Sequence, residues 1–138
     1  MVASLSNVDA LIVDDEAFVR KTLTQLLRLA GVRRITEANN GRHALSELLA
    51  LPDQQLPNLI LCDLEMELMG GLEFLQKLRD HENEMLSSIP VIISTAHTES
   101  QTVKAAASRR IDGYLVKPFT AGKLQARIET ILPVLPDR

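Results

Sequence analysis

Short aliphatic runs, each closed by a polar residue and followed by an amphipathic stretch, constrain this chain more than any other feature. Residues 9–14 (DALIVD), 58–63 (NLILCD) and 90–95 (PVIIST) are nearly unbroken apolar segments of strand length. That is the pattern of strands covered on both faces. Residues 33–38 (RRITEA) make a more polar strand that suits a sheet edge. Residues 113–117 (GYLVK) make a fifth. Helical stripes run between them. Val19, Leu23, Leu26, Leu27 and Ala30 share one face of residues 16–30, which Gly31 ends. Ala44, Leu45, Leu48 and Leu49 do the same in residues 42–51, after an Asn39-Asn40-Gly41 turn. Leu72, Leu75 and Leu78 follow Gly70-Gly71. Residues 99–110 read as a polar helix with only Val103, Ala106 and Ala107 as an apolar face. The last helix, from about Thr120, carries Leu124, Ile128 and Ile131 before Pro133 and Pro136 stop it. Residues 52–57 read as a loop and residues 83–88 as a polar connection.

Strands alternating with helices through short connections imply an α/β fold. The sheet is parallel, the crossovers right-handed, and helices cover both faces. A chain of 138 residues fits one domain and buries enough surface to need no disulfide or metal staple. The whole chain, 1–138, is expected to be a single domain with its core at about residues 8–132. A net charge of −3 argues against binding a nucleic-acid backbone. Four aromatics (Phe18, Phe74, Tyr114, Phe119) offer no platform for stacking bases. One cysteine excludes an intramolecular disulfide framework and a multi-cysteine zinc site. Apolar runs of four or five residues are too short to span a membrane. The first nine residues show neither the basic nor the apolar region of a signal peptide, so a cytoplasmic protein is expected.

In such sheets ligands bind beyond the carboxyl ends of the strands. Those ends are Asp14-Asp15, followed by Glu16, then Asp63, Thr95, and Lys117-Pro118. Three carboxylates, a hydroxyl and an ammonium therefore converge from distant parts of the chain. Two carboxylates ~4 Å apart repel by about 4 kcal/mol at an effective dielectric near 20. One lysine cannot compensate three of them, and a divalent cation is the natural addition. All-oxygen ligands suit Mg²⁺. Mg²⁺ with Lys117 would also suit a phosphoryl group. An Asp carboxylate can act as the nucleophile and hold an aspartyl phosphate, with Thr95 donating to one phosphoryl oxygen.

On these residues the chain resembles the receiver domains of two-component signalling and is similar to stand-alone chemotaxis response regulators. The motifs that carry the resemblance are LIVDDE (11–16), LILCDLEM (59–66), the Gly71 turn, PVIISTA (90–96) and GYLVKPF (113–119). The resemblance implies a flavodoxin-like sheet of strand order 2-1-3-4-5. It implies that Asp63 accepts the phosphoryl group. Asp15 would bind Mg²⁺ directly, Asp14 through water, with Asp63 and the Glu65 backbone carbonyl as further ligands. Lys117 would bridge the acceptor and the phosphoryl group, with a cis bond to Pro118. Thr95 and Tyr114 would form a switch pair that biases the surface made by residues 99–110, the fifth strand and the last helix. The partners implied are a histidine kinase or histidine phosphotransfer protein and a downstream protein target or an output domain. Such a domain catalyses its own phosphorylation and hydrolysis and is not an enzyme in the metabolic sense. Two positions depart from the family's pattern. Glu67 stands where proline is usual, and Gly70 stands where an acidic residue is common. The 64–71 loop is therefore expected to be looser or differently shaped. Glu65 and Glu67 add acid to the pocket, and Glu65 and His97 occupy positions where the family tunes hydrolysis.

Plainer readings exist for each group. The Asp14-Asp15-Glu16 cluster could complement a helix dipole, Lys117 could be a solvated surface lysine, Thr95 an ordinary strand residue, and Tyr114 core or rim. Cys62 reads as a small core hydrophobe beside the site. A haloacid-dehalogenase-type phosphatase would want Asp-x-Asp, and here the segment is Asp63-Leu64-Glu65. A docking-only receiver would not need the intact acceptor, acidic pair, threonine and lysine. No GxxxxGK[ST] occurs, which excludes a P-loop.

Overall fold

The computed structural model describes residues 5–66, 68–96, 110–131, 133 and 135. In chain order the elements are β1 (Asp9–Val13), α1 (Ala17–Leu29), β2 (Arg34–Ala38), α2 (Gly41–Ala50), β3 (Leu59–Asp63), α3 (Gly71–Arg79), α4 (Glu84–Ser87), β4 (Val91–Thr95), β5 (Gly113–Val116) and α5 (Ala121–Ile131). The helix read over residues 99–110 lies outside the described residues, apart from Arg110. All strand pairs are parallel, in the order β2-β1-β3-β4-β5. The expected flavodoxin-like topology is therefore the observed one.

Burial follows the sequence pattern. Every residue of β1, β3 and β4 is buried, whereas β2 buries only Ala38. Successive strand side chains point to opposite faces. Leu11, Val13, Ile60, Cys62 and Ile93 join a core with Ala44 and Leu48 of α2 and Phe74 and Leu78 of α3. Ala10, Ile12, Leu61, Ile92 and Leu115 join a second core with Leu23 and Leu27 of α1 and Leu124 and Ile128 of α5.

Local differences from the sequence reading have physical causes. The polar connection at 83–88 contains α4, because the Asn83 side chain accepts from the Met85 N–H at 3.1 Å and Leu86 is buried beneath it. The loop at 52–57 holds one 3₁₀ turn, Asp53–Gln55. Helix α2 starts at Gly41, one residue earlier than expected, with Asn40 as its cap, accepting from His43 N at 2.8 Å. Gly41 is needed there for space: a Cβ would lie 2.8 Å from the Met69 carbonyl oxygen and 2.9 Å from Phe74 Cβ. Gly31 ends α1 at φ +89°, the left-handed position anticipated for it. Replacing the Asn40 cap with alanine should cost about 1 kcal/mol. Thermal unfolding should show a midpoint lowered by about 3–4 °C.

The amino edge of the sheet is tied by polar groups. Buried Asp9 accepts two hydrogen bonds from Arg33, at 2.8 and 2.7 Å, and its N–H donates to Asn58 Oδ1 at 2.9 Å. The Asn58 amide reaches the Asn7 carbonyl at 2.8 Å. Arg79, only 7% exposed in its side chain, donates to the carbonyls of Arg110, Ser87 and Ile89 and pairs with Asp112 at 3.5 Å. The carboxyl edge is left for the site.

Candidate functional site

Register places the candidate residues side by side. Val13 pairs with both Ala38 and Cys62, Asp63 with Ser94, and Thr95 with Val116. Asp14, Asp63, Thr95 and Lys117 therefore emerge together at the carboxyl edge. Asp14, Asp63 and Thr95 are almost fully buried, while Asp15 and Glu16 are exposed.

Asp14 is held from three sides. Its N–H donates to the Ala38 carbonyl at 3.1 Å, its carbonyl accepts from Arg20 Nη1 at 2.7 Å, and its Oδ1 accepts from Glu16 N–H at 2.9 Å. Arg20 also pairs with Glu37 of β2 at 3.2 Å. Sequence reading did not single out Arg20, because its role depends on β2 lying beside β1.

Lys117 links the two buried carboxylates. Its Nζ lies 3.2 Å from Asp63 Oδ1 and 3.4 Å from Asp14 Oδ2. The Lys117 N–H donates to the Thr95 carbonyl at 2.7 Å, and the bond to Pro118 is cis, as the resemblance implied. Burial pushes the Asp63 carboxyl up to about 6; Lys117 opposes that rise and Asp14 adds to it. For Lys117, burial works against the charge, but Asp63 and Asp14 outweigh it and hold the ammonium above its usual range. The neighbouring Cys62 thiol is fully buried and pushed far up by burial, which fits the core role read from sequence.

Oxygen atoms of Asp14, Asp15 and Glu16 lie within 4.8 Å of one another. Among the described residues this is the cluster able to hold a metal ion. The donor set is all oxygen and suits a hard divalent cation. Asp63, which the resemblance adds to the ligand set, is not in this group and is linked to Asp14 through Lys117. Glu65 sits two residues past Asp63, with its N–H 3.4 Å from Asp63 Oδ1. Its carboxylate turns away and accepts a 2.8 Å hydrogen bond from Thr95 Oγ1. Sequence reading missed this contact.

Tyr114 is 41% exposed. It lies on β5 two residues before Val116, the partner of Thr95, and so shares a sheet face with the threonine. It borders a groove of about 630 Å³ with Phe119, Lys123 and Arg127. The loop after Asp63 is pinned at both ends. The Gly71 N–H donates to the Leu64 carbonyl at 3.1 Å and the Gly41 N–H to the Met69 carbonyl at 3.0 Å. Gly71 packs so tightly that a Cβ would lie 2.6 Å from the Asp63 carbonyl oxygen. Between those ties Leu68 is exposed and left-handed at φ 65°. The loop is thus anchored at both ends rather than loose. Glu67 and His97 lie outside the described residues.

A doubly wound parallel sheet with acidic, hydroxyl and ammonium groups gathered on its carboxyl edge defines a signalling receiver. The chain belongs to the response regulator receiver domain family, which residues 10–129 match. It is thereby a two-component signalling module. It is 34% identical over 125 residues to chemotaxis protein CheY-3 of Vibrio cholerae, covering 91% of this chain and 92% of that protein. Its fold is similar to the crystal structure of chemotaxis protein CheY4 of Vibrio cholerae (TM-score 0.79, 26% identity, 91% of this chain and 98% of that one). The receiver domain of a histidine kinase from Syntrophus aciditrophicus shares the fold at TM-score 0.81, with 24% identity over 95% of this chain and 94% of that chain. Among the described residues no helix is long and apolar enough to cross a membrane.

Proposed function

We propose that residues 8–132 work as one phosphoacceptor domain in which Asp63 takes a phosphoryl group from the phosphohistidine of a kinase or phosphotransfer protein. The observation that carries this reading is the Lys117 ammonium held between Asp63 and Asp14. A carboxylate oxygen of Asp63 attacks phosphorus, the P–N bond to the donor imidazole breaks, and the ring keeps the electron pair. Asp14, Asp15, Asp63 and the Glu65 carbonyl would hold Mg²⁺, which neutralises charge on the phosphoryl oxygens. Lys117 pairs with the acceptor and steadies the phosphoryl group, and Thr95 donates to one of its oxygens.

With Thr95 drawn to the phosphoryl group, Tyr114 moves toward the space beside it. This shifts the surface of β5 and α5 toward its partner-binding state. The output is binding of a downstream protein target or an output domain. The domain turns over no external metabolite, and its compartment is the cytoplasm, where its phosphodonor is made. The Glu65 carboxylate is engaged by Thr95 rather than aimed at Asp63. That favours signalling over a dehalogenase-type phosphatase, which needs a general acid at this position.

Intact mass after incubation with Mg²⁺ and acetyl phosphate tests the reading. The wild type should gain one phosphoryl group, in a Mg²⁺-dependent way, and Asp63→Asn should gain none. A wild type that neither gains mass nor binds beryllofluoride, the acyl-phosphate mimic, would overturn it.

A further inference from the structure

We propose that the Glu65 side chain is a latch on Thr95: a positioning residue that occupies the threonine hydroxyl until a phosphoryl group displaces it. This rests on the phosphoacceptor reading and adds a regulatory device to it. Thr95 is fully buried at the end of β4, and its hydroxyl donates to Glu65 Oε1 at 2.8 Å. A hydroxyl has one proton to donate. The same proton therefore cannot serve Glu65 and a phosphoryl oxygen on Asp63 at once.

The strand geometry makes this competition real. Asp63 pairs with Ser94, so its side chain lies on the α1/α5 side of the sheet, together with that of Ser94. Both carboxylate-bearing residues, Asp14 and Asp63, line a small cavity with Ser94 there. Thr95 belongs by alternation to the opposite side, and its hydroxyl must be drawn round the strand end to meet the acceptor. Glu65 is placed to oppose that movement. Its N–H faces Asp63 while its carboxylate holds Thr95, so one residue touches both the acceptor and the threonine.

Release is provided by charge. A phosphoryl group on Asp63 carries about −1.5 to −2 charge at neutral pH. It repels the Glu65 carboxylate, which lies at an exposed position and can turn into water. The hydroxyl then exchanges one anionic acceptor for another. The cost of breaking the first hydrogen bond lowers the affinity of the site for a phosphoryl-like group. It also keeps Thr95 in its resting place when Asp63 is bare.

The test is a double-mutant cycle. Fluorine NMR at saturating Mg²⁺ would measure beryllofluoride affinity for the wild type, Glu65→Ala, Thr95→Ala and the double variant. Glu65→Ala should bind beryllofluoride about 5–10-fold more tightly, the scale of one charge-assisted hydrogen bond released in a partly exposed setting. Glu65→Gln keeps an acceptor oxygen without the charge and should fall between. In the Thr95→Ala background, removing Glu65 should change affinity less than about twofold. An equal gain in both backgrounds would mean simple charge repulsion and would overturn the latch. So would no gain in either. A wild type that fails to bind beryllofluoride with Mg²⁺ would overturn the phosphoacceptor reading itself, and the latch with it.

Discussion

Asp63→Asn should make the cation-free domain more stable by about 2 kcal/mol at pH 8, raising its unfolding midpoint by about 7 °C. The cause is the burial of the Asp63 carboxylate against Asp14, only partly offset by Lys117. Its folded pKa of about 6 lies above the ordinary 3.8 of an unfolded chain. Between those values the folded state binds more protons than the unfolded state. This group's contribution therefore falls as pH rises from 3.8 through 6, and its penalty is complete above that. A full conversion of the shift gives on the order of 3 kcal/mol, and the lost Lys117 contact takes back part of it. Thermal melts in EDTA check the sign. The advantage of the asparagine variant should be largest at pH 8 and should shrink as pH falls from 6 toward 4. Mg²⁺ should narrow it at pH 8 by stabilising the wild type. A variant no more stable than the wild type at pH 8 would show that the carboxylate is not under electrostatic stress.

Arg79→Ala should act in the opposite direction and more strongly, costing about 3 kcal/mol. The midpoint should fall by about 10 °C at any pH from 6 to 8. The guanidinium serves three carbonyls and one carboxylate from a nearly buried position. Removing it leaves these acceptors facing a void. Arg110 is held at φ 63°, a backbone conformation that costs a non-glycine residue about 1–2 kcal/mol. Arg79 donates to its carbonyl from two nitrogens, so the residue loses its main restraint as well. Asp112 keeps its 2.9 Å bond from the Val91 N–H, which limits the loss. Chemical denaturation should show the reduced unfolding free energy, while Arg79→Lys should recover only part, because an ammonium cannot reproduce the planar fork.

The sequence was informative where a physical signal is local. The uniform apolar runs of β1, β3 and β4 mark strands buried on both faces, and the structure buries every residue in them. Strand ends are equally local, so Asp14, Asp63, Thr95 and Lys117 could be grouped before their distances were known. Other features depend on which side chain meets which across the sheet. Asp9 looks misplaced in an apolar run until Arg33 closes on it. Arg79 was not singled out in the sequence, because its partners are as far along the chain as Asp112. The Thr95–Glu65 contact joins residues 30 positions apart and depends on a side-chain rotation that no pattern encodes. Leu86, with only Met85 beside it among polar neighbours, gave no periodicity, so α4 was hidden.

The buried ties of Asp9, Asn58 and Arg79 all lie at the amino edge, roughly 15 Å along the strands from the acceptor. This separation bears on heredity more than on chemistry. Substitutions in the loops of the carboxyl edge, where the buried carboxylates of Asp14 and Asp63 crowd one another, lie away from those ties. They leave the anchors at the far edge untouched. Lineages of such a domain can therefore vary that edge, generation by generation, without first having to reinvent how they fold.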